Sequence, residues 1–169
     1  MIVLPFTTGY YVIGISIDVK PTLINGSIFF EGDTGKVFYR SGGVWVEKSG
    51  GSVLTSGTYT PTLTNVANLD TSTPYEAQYL RVGTIVTVSG KVDVDPTLTA
   101  TVTRLGISLP IASNLGANED CAGVAFASGI AGQGAVILGD TVNDRAQMEW
   151  VAGDITNQSM YFIFTYSVI

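Results

Sequence analysis

From Val86 to Asp95 the chain alternates with a period of two. Val86, Val88, Val92 and Val94 fall on one side, while Thr87, Ser89, Lys91, Asp93 and Asp95 fall on the other. Strict alternation of this kind marks a β-strand with one buried and one solvated face. Gly90 takes a core-facing slot, which predicts close approach of a neighbouring backbone or a bulge. Residues 76–82 supply a partner across a tight turn at Gly83. Further strands are predicted at 58–64, 99–109, 122–128, 135–138, 146–152 and 160–169, with turn clusters at 112–118 and 153–157. No stretch holds apolar residues at helical spacing over three turns.

The last predicted strand breaks the alternation. In MYFIFTYSVI, Phe162, Phe164, Tyr166 and Val168 point one way, and Tyr161 and Ile163 the other. A strand apolar on both faces is buried on both faces. In a two-layer sandwich only one face meets the core, so the other predicts contact with a second subunit. Tyr161, Phe162, Ile163 and Phe164 are the candidate interface residues.

The N-terminal part has its own pattern. Strands at 27–31, 36–40 and 44–47 are joined by Gly32-Asp33-Thr34-Gly35 and Ser41-Gly42-Gly43, turns in which glycine supplies positive φ. The first nineteen residues, MIVLPFTTGYYVIGISIDV, contain no Lys or Arg and are broken by Pro5, Gly9, Gly14 and Asp18. They suit neither a signal peptide nor a membrane span and predict an extended β-rich arm. Residues 48–52 have linker composition. This divides the chain into a module at 1–50 and a β-sandwich at 53–169. The aromatic side chains of the first module exceed what fifty residues bury alone. Phe6, Tyr10, Tyr11, Phe29, Phe38 and Trp45 are its candidate docking surface.

Charge sharpens that division. Apolar residues make up 46% of the 169 and charged residues only 13%, about half the usual share. Residues 1–50 hold four acids and four bases, whereas 51–169 hold ten acids against Arg81, Lys91, Arg104 and Arg145, so all six net negative charges lie there. An acidic surface repels phosphate backbones and anionic lipid heads, which argues against nucleic-acid and membrane partners.

The chemistry on offer is thin. The chain has no histidine, so the usual general base, zinc ligand and nucleophile partner are missing. Cys121 is the one cysteine; it has an apolar setting and suits a small buried hydrophobe. Glu76, Asp93, Asp95 and Glu149 are the acids that a carboxylate pair would need, but acids on wet strand faces mostly solubilise. Asp93 and Asp95 share a strand face, an arrangement open to calcium, yet no DxDxDG-type loop surrounds them. GIAGQGAVILGD lacks the GK[ST] of a phosphate loop. No catalytic, cofactor or metal residue is assigned.

The stretch GSIFFEGDTGKVFYRSGGVWVEK resembles a short β-meander found near the N-termini of tailed-bacteriophage virion proteins, ahead of fibre, head-fibre and capsid-decoration domains. Gly26, Phe29, Phe30, Glu31, Asp33, Thr34, Gly35, Lys36, Gly42 and Trp45 match its pattern, with Phe30 in place of a tyrosine. The run SGTYTPTLTNVANLDTSTPYEAQYLRVGTIVTVSGKVDVDPT is similar to the C-terminal β-domain that often follows. Together they cover about three quarters of the chain. The resemblance implies a non-enzymatic all-β assembly, a homotrimer with a jelly-roll-like sandwich, attached to the virion by contact with the major capsid or another virion protein and assembled in the host cytoplasm. The chain lacks the coiled coil, triple-helical repeat and shaft of long fibres, which favours a capsid decoration or head-fibre protein. The alternative is a tail-fibre or receptor-binding component that contacts host-surface glycans, and a third class is a small carbohydrate-active enzyme.

Overall fold

The computed structural model describes residues 1–6, 9–48 and 54–169, the Phe6 side chain excepted. The linker-like stretch, from 49 on, lies outside the described residues. The chain forms two compact units, Met1–Ser52 and Val53–Ile169. Both are built from strands. Among the described residues the one helical element is a 3-10 turn at Asn118–Asp120.

The first unit is a five-stranded mixed sheet in chain order: β1 (Ile2–Phe6), β2 (Gly9–Gly14), β3 (Ile28–Glu31), β4 (Val37–Ser41) and β5 (Val44–Glu47). The three predicted meander strands are present. The predicted free arm is not: β1 and β2 pair as an antiparallel hairpin, and β2 runs parallel to β3. The physical reason is that Tyr11, Val12 and Ile13 find partners in Ile28, Phe29 and Phe30, which satisfies backbone groups an extended arm would leave to water.

The second unit is one ten-stranded antiparallel sheet rather than two separate layers. Its strands are β6 (Leu54–Tyr59), β7 (Leu63–Ala67), β8 (Leu69–Pro74), β9 (Ala77–Val82), β10 (Ile85–Pro96), β11 (Val102–Ile107), β12 (Cys121–Ala127), β13 (Gly134–Asp140), β14 (Arg145–Val151) and β15 (Gln158–Ser167). The order is β6-β9-β10-β15-β12-β13-β14-β11-β7, and β8 also pairs with β10. The single strand predicted at 58–64 is instead two, because Pro61 has no N–H for a ladder. β8 went unpredicted, since its LDTSTP sequence carries little apolar signal.

Asn68 dictates the curl of this sheet. β7 pairs with β11 and β8 with β10, and those two strands stand five places apart in the order. In a flat sheet they would be about 24 Å apart at the usual strand spacing. One residue separates β7 from β8 and spans no more than ~7 Å. The sheet therefore turns back on itself. Asn68 makes the corner with φ of 55°, a left-handed conformation that Asn tolerates better than most residues. Its Nδ2 donates to the Leu98 carbonyl (2.9 Å) and Thr103 Oγ1 (2.7 Å), and its Oδ1 accepts from the Leu98 N–H (2.8 Å) and Thr97 Oγ1 (2.7 Å).

The curl encloses one core. Val86, Val88, Val92 and Val94 of β10 point into it, with Met160, Phe162, Phe164 and Tyr166 of β15 and Leu105, Ile107, Ile137, Met148 and Trp150 opposite. Gly90 marks a close approach, as predicted: a Cβ there would stand 2.7 Å from that of Ala77 and 2.8 Å from the Phe162 ring. Tyr166 is buried, yet its hydroxyl donates to the Ile111 carbonyl at 2.7 Å. Burial pushes this phenol up to about 12.

Candidate interaction surfaces

In the first unit, alternation separates the aromatic side chains into two sets. Val12 and Phe29 face inward and are buried. Phe38 and Trp45 pack on Phe29 edge-on, at centroid distances of 6.3 and 6.0 Å. The chain between β2 and β3 covers this face. Its Pro21 carbonyl accepts from Trp45 Nε1 at 2.8 Å, and its Leu23 carbonyl accepts from Arg40 Nε. Lys20 places its ammonium over the Phe38 ring at 3.9 Å and on Glu31 Oε1 at 2.6 Å. Ser16 donates to Asp33 through both its N–H (2.9 Å) and its hydroxyl (2.6 Å). The Lys20 and Thr34 donors hold the Glu31 carboxyl below its usual value, and the Ser16 hydroxyl and N–H do the same for Asp33.

Phe29, Phe38 and Trp45 are therefore taken up within their own unit, a correction to their assignment as docking residues. The inward face needed a lid, and the 15–25 segment supplies it. Tyr10 is half-buried, Tyr11 stands on the outer face, and the Phe6 side chain lies outside the described residues.

The outer face of the same sheet is different. Leu4, Tyr11, Ile28, Tyr39 and Val46 stand in register across all five strands. Ile2, Ile13, Phe30 and Val37 form a second row beside them. The second row ends at Lys48, whose N–H donates to the Val37 carbonyl at 2.7 Å, and the residues named in the two rows are otherwise uncharged. Ile2, Leu4, Tyr11, Ile13, Phe30 and Tyr39 are each 41–58% exposed. Contiguous apolar surface of this extent marks an interaction site in a soluble protein. The candidate docking residues Phe29, Phe38 and Trp45 stand on the inner face, and Leu4, Ile13, Phe30 and Tyr39 of the outer face were not among the residues expected from sequence. The signal was present in the doublets Phe29-Phe30 and Phe38-Tyr39, whose members must point opposite ways.

In the second unit, the four interface residues predicted for the last strand separate in the same manner. Phe162 and Phe164 are 4% and 1% exposed inside the core, stacked with centroids 5.8 Å apart, so they leave the list of surface residues. Tyr161 and Ile163 stand on the outer face. The structure brings Val124, Phe126 and Val136 beside them: Val124 is opposite both Ile163 and Val136, and Phe126 is opposite Tyr161.

Of the candidate chemical groups, Cys121 is buried and Glu149 and Asp93 are held by partners within the chain. Burial pushes the Cys121 thiol up to about 12, far from a reactive thiolate. Glu149 Oε2 accepts from Arg104 Nε at 2.6 Å. Burial raises Asp93, but donors on Ser159 (2.6 Å) and Tyr75 (2.7 Å) together with Lys91 outweigh it and hold the carboxyl below its usual value. Among the described residues no group of three His, Cys, Asp or Glu could hold a metal ion. No helix there is long and apolar enough to cross a membrane. No protein family, curated protein or solved structure matches the chain.

Proposed function

We propose that this chain is a structural protein of a bacteriophage particle, mounted on its surface as a capsid decoration or head-fibre protein. The first unit docks, and the second is the projecting body of a trimer with a jelly-roll-like wall. The observation that carries the reading is the apolar outer face of the five-stranded sheet, with Lys48 only at its edge. A sheet needs apolar cover on each apolar face, and here the chain's own 15–25 segment covers one side only. The other is a core face in want of a second layer. The matching pattern from Gly26 to Trp45 supplies the phage context for that layer.

The mechanism is adhesion by area. An interface of about 800 Å² per partner removes enough apolar surface to contribute on the order of 20 kcal/mol gross. About 4–15 kcal/mol or more of this is offset by lost motion and ordering. A trimer that presents three such faces converts a modest single contact into avidity. The neutral charge of residues 1–50 suits close contact with a shell protein of either sign, and the acidic second unit keeps neighbouring bodies apart.

The glycan-binding alternative calls for open aromatic faces. Tyr75 is the exposed aromatic best furnished with polar neighbours, and Lys91 Nζ already caps its ring at 3.6 Å. That favours docking over sugar binding.

The test uses phage particles produced without this chain and then incubated with the purified full-length protein. Wild type should decorate them, with immunogold label on the head. Phe30→Asp with Tyr39→Asp should reduce occupancy at least tenfold while the melting of the second unit stays unchanged. Tyr39→Thr, which keeps strand propensity, should give a smaller loss. Full occupancy by the double variant would sink the docking role of this face, and label at the tail tip would move the protein to the fibre class.

A further inference from the structure

We propose that copies of this chain meet through the outer face of β15, β12 and β13, with Ile163, Val124 and Val136 at the centre of the contact and Tyr161 and Phe126 beside them. The proposal rests on the trimer reading above and adds the surface that makes it.

These five side chains come from three strands and form one patch by register: Val124 lies between Ile163 and Val136, and Phe126 lies beside Tyr161. Each is 46–61% exposed, although each sits mid-strand on a well-paired ladder where a polar residue would serve equally well. The centre of the patch is branched aliphatic and offers no hydrogen-bonding side chain. A sugar or a nucleotide needs such groups to fix its orientation, so the chemistry selects another apolar protein face. Uniformly apolar contacts typify permanent assemblies, whose interfaces resemble a domain core cut in half.

Charge placement commits the partner to a second copy. A unit with six net negative charges repels its own copies wherever unpaired acids face each other. Around this patch they do not. The bordering charges are paired within the chain: Lys91 with Asp93 at 3.3 Å, Arg104 with Glu149 at 2.6 Å and Arg145 with Asp140 at 2.8 Å. The row on one flank carries hydroxyls, with Thr87 and Thr165 in contact at 3.1 Å. Among the described residues the acids without a basic partner lie off the centre of the patch, and Asp95, which shares this outer face, stands four residues along β10 from the Lys91 that faces Tyr161. Glu76, Glu119, Asp144 and Asp154, for example, lie in turns and connections between strands. At its centre this sheet face thus lets two acidic bodies approach with the adjoining charges already paired.

The test is the mass of the full-length protein at micromolar concentration by light scattering, run beside the particle-occupancy assay. Wild type should give a multiple of 17.8 kDa, with three copies expected. Ile163→Lys with Val124→Lys should give 17.8 kDa with an unchanged far-ultraviolet spectrum. Should that variant misfold, Ile163→Thr with Val124→Thr keeps the β-branched shape and should raise the dissociation constant at least tenfold. A wild type still monomeric at about 100 μM, roughly a hundred times a 1 μM working concentration, would overturn the proposal, as would a folded lysine variant that keeps the wild-type mass. Loss of particle occupancy with mass unchanged would likewise overturn it and assign this face to a virion partner. The docking reading fails separately, through the Phe30 and Tyr39 variants, so the two failures are distinguishable.

Discussion

The two units solve the same problem in opposite ways. Each is a sheet with more apolar surface than a single layer can hide. The second unit curls until its strands face one another, and nineteen buried apolar residues share one core. The first stays open. It covers its inner face with a strap of irregular chain pinned by Lys20, Pro21 and Ser16, and leaves its outer face bare. Its edge strands β1 and β5 do not pair with each other, so the sheet stays open. The lesson is that exposure has different meanings in the two. In the second unit it is spread over separate places, the β15-β12-β13 patch, the Leu54, Val82 and Ile85 row and single residues such as Leu98 and Val142, while the rest of the apolar surface goes into the core. In the first it is a complete face.

The contrast is broken most severely at Asn68. Asn68→Ala removes four hydrogen bonds from a left-handed corner and should cost the second unit about 3 kcal/mol or more, read as a lower melting temperature. The first unit, which has no such clasp, should keep its Trp45 signal. If the second unit melts unchanged, the curl is held by core packing alone.

Acid should separate the units next. Glu31 and Asp33 have folded values below their ordinary ones. Their stabilisation is therefore complete at neutral pH, well above the unfolded values near 4, and is lost as pH falls through the lower folded values. The strap of the first unit hangs on these two carboxylates, whereas the lowered carboxylates of the second, Asp93, Asp140 and Asp154, lie outside its apolar core. Trp45 fluorescence in a Trp150→Phe background should change at a higher pH than the far-ultraviolet signal of the whole chain. Coincident transitions would show that the strap is held chiefly by its apolar contacts.

The smallest expected effect is at Trp45 itself. Trp45→Phe keeps a ring on Phe29 and loses only the bond to the Pro21 carbonyl, so it should cost the first unit about 1 kcal/mol. Attachment to particles should stay near wild type, because the ring faces inward. A large loss of attachment with little loss of stability would return Trp45 to the docking surface.

Much of the second unit is legible in the sequence. The alternation from Val86 to Val94, the turn at Gly83 and the close approach at Gly90 are local consequences of a period-two pattern, and they survive any tertiary arrangement. The meander at 27–47 is legible for the same reason, through its glycine turns. The asymmetry of charge and the absence of histidine are composition and need no fold. Register is another matter. That Tyr11 stands beside Ile28, or Val124 between Ile163 and Val136, depends on which strands become neighbours, and distant strands meet only when the chain closes long loops. The first nineteen residues carry β propensity but no mark of a parallel partner, so an arm and a hairpin look alike from sequence. Doublets such as Phe29-Phe30 guarantee that one ring goes in and one goes out, but the strap that decides which is which comes from residues 15–25, where Ile15, Ile17 and Val19 alternate with Ser16, Asp18 and Lys20 as in a strand and yet the chain forms turns and irregular structure. The sequence by itself determined the strands and their two-faced character. Only the tertiary structure decided which face each unit buries, because burial is a property of neighbours and not of the strand.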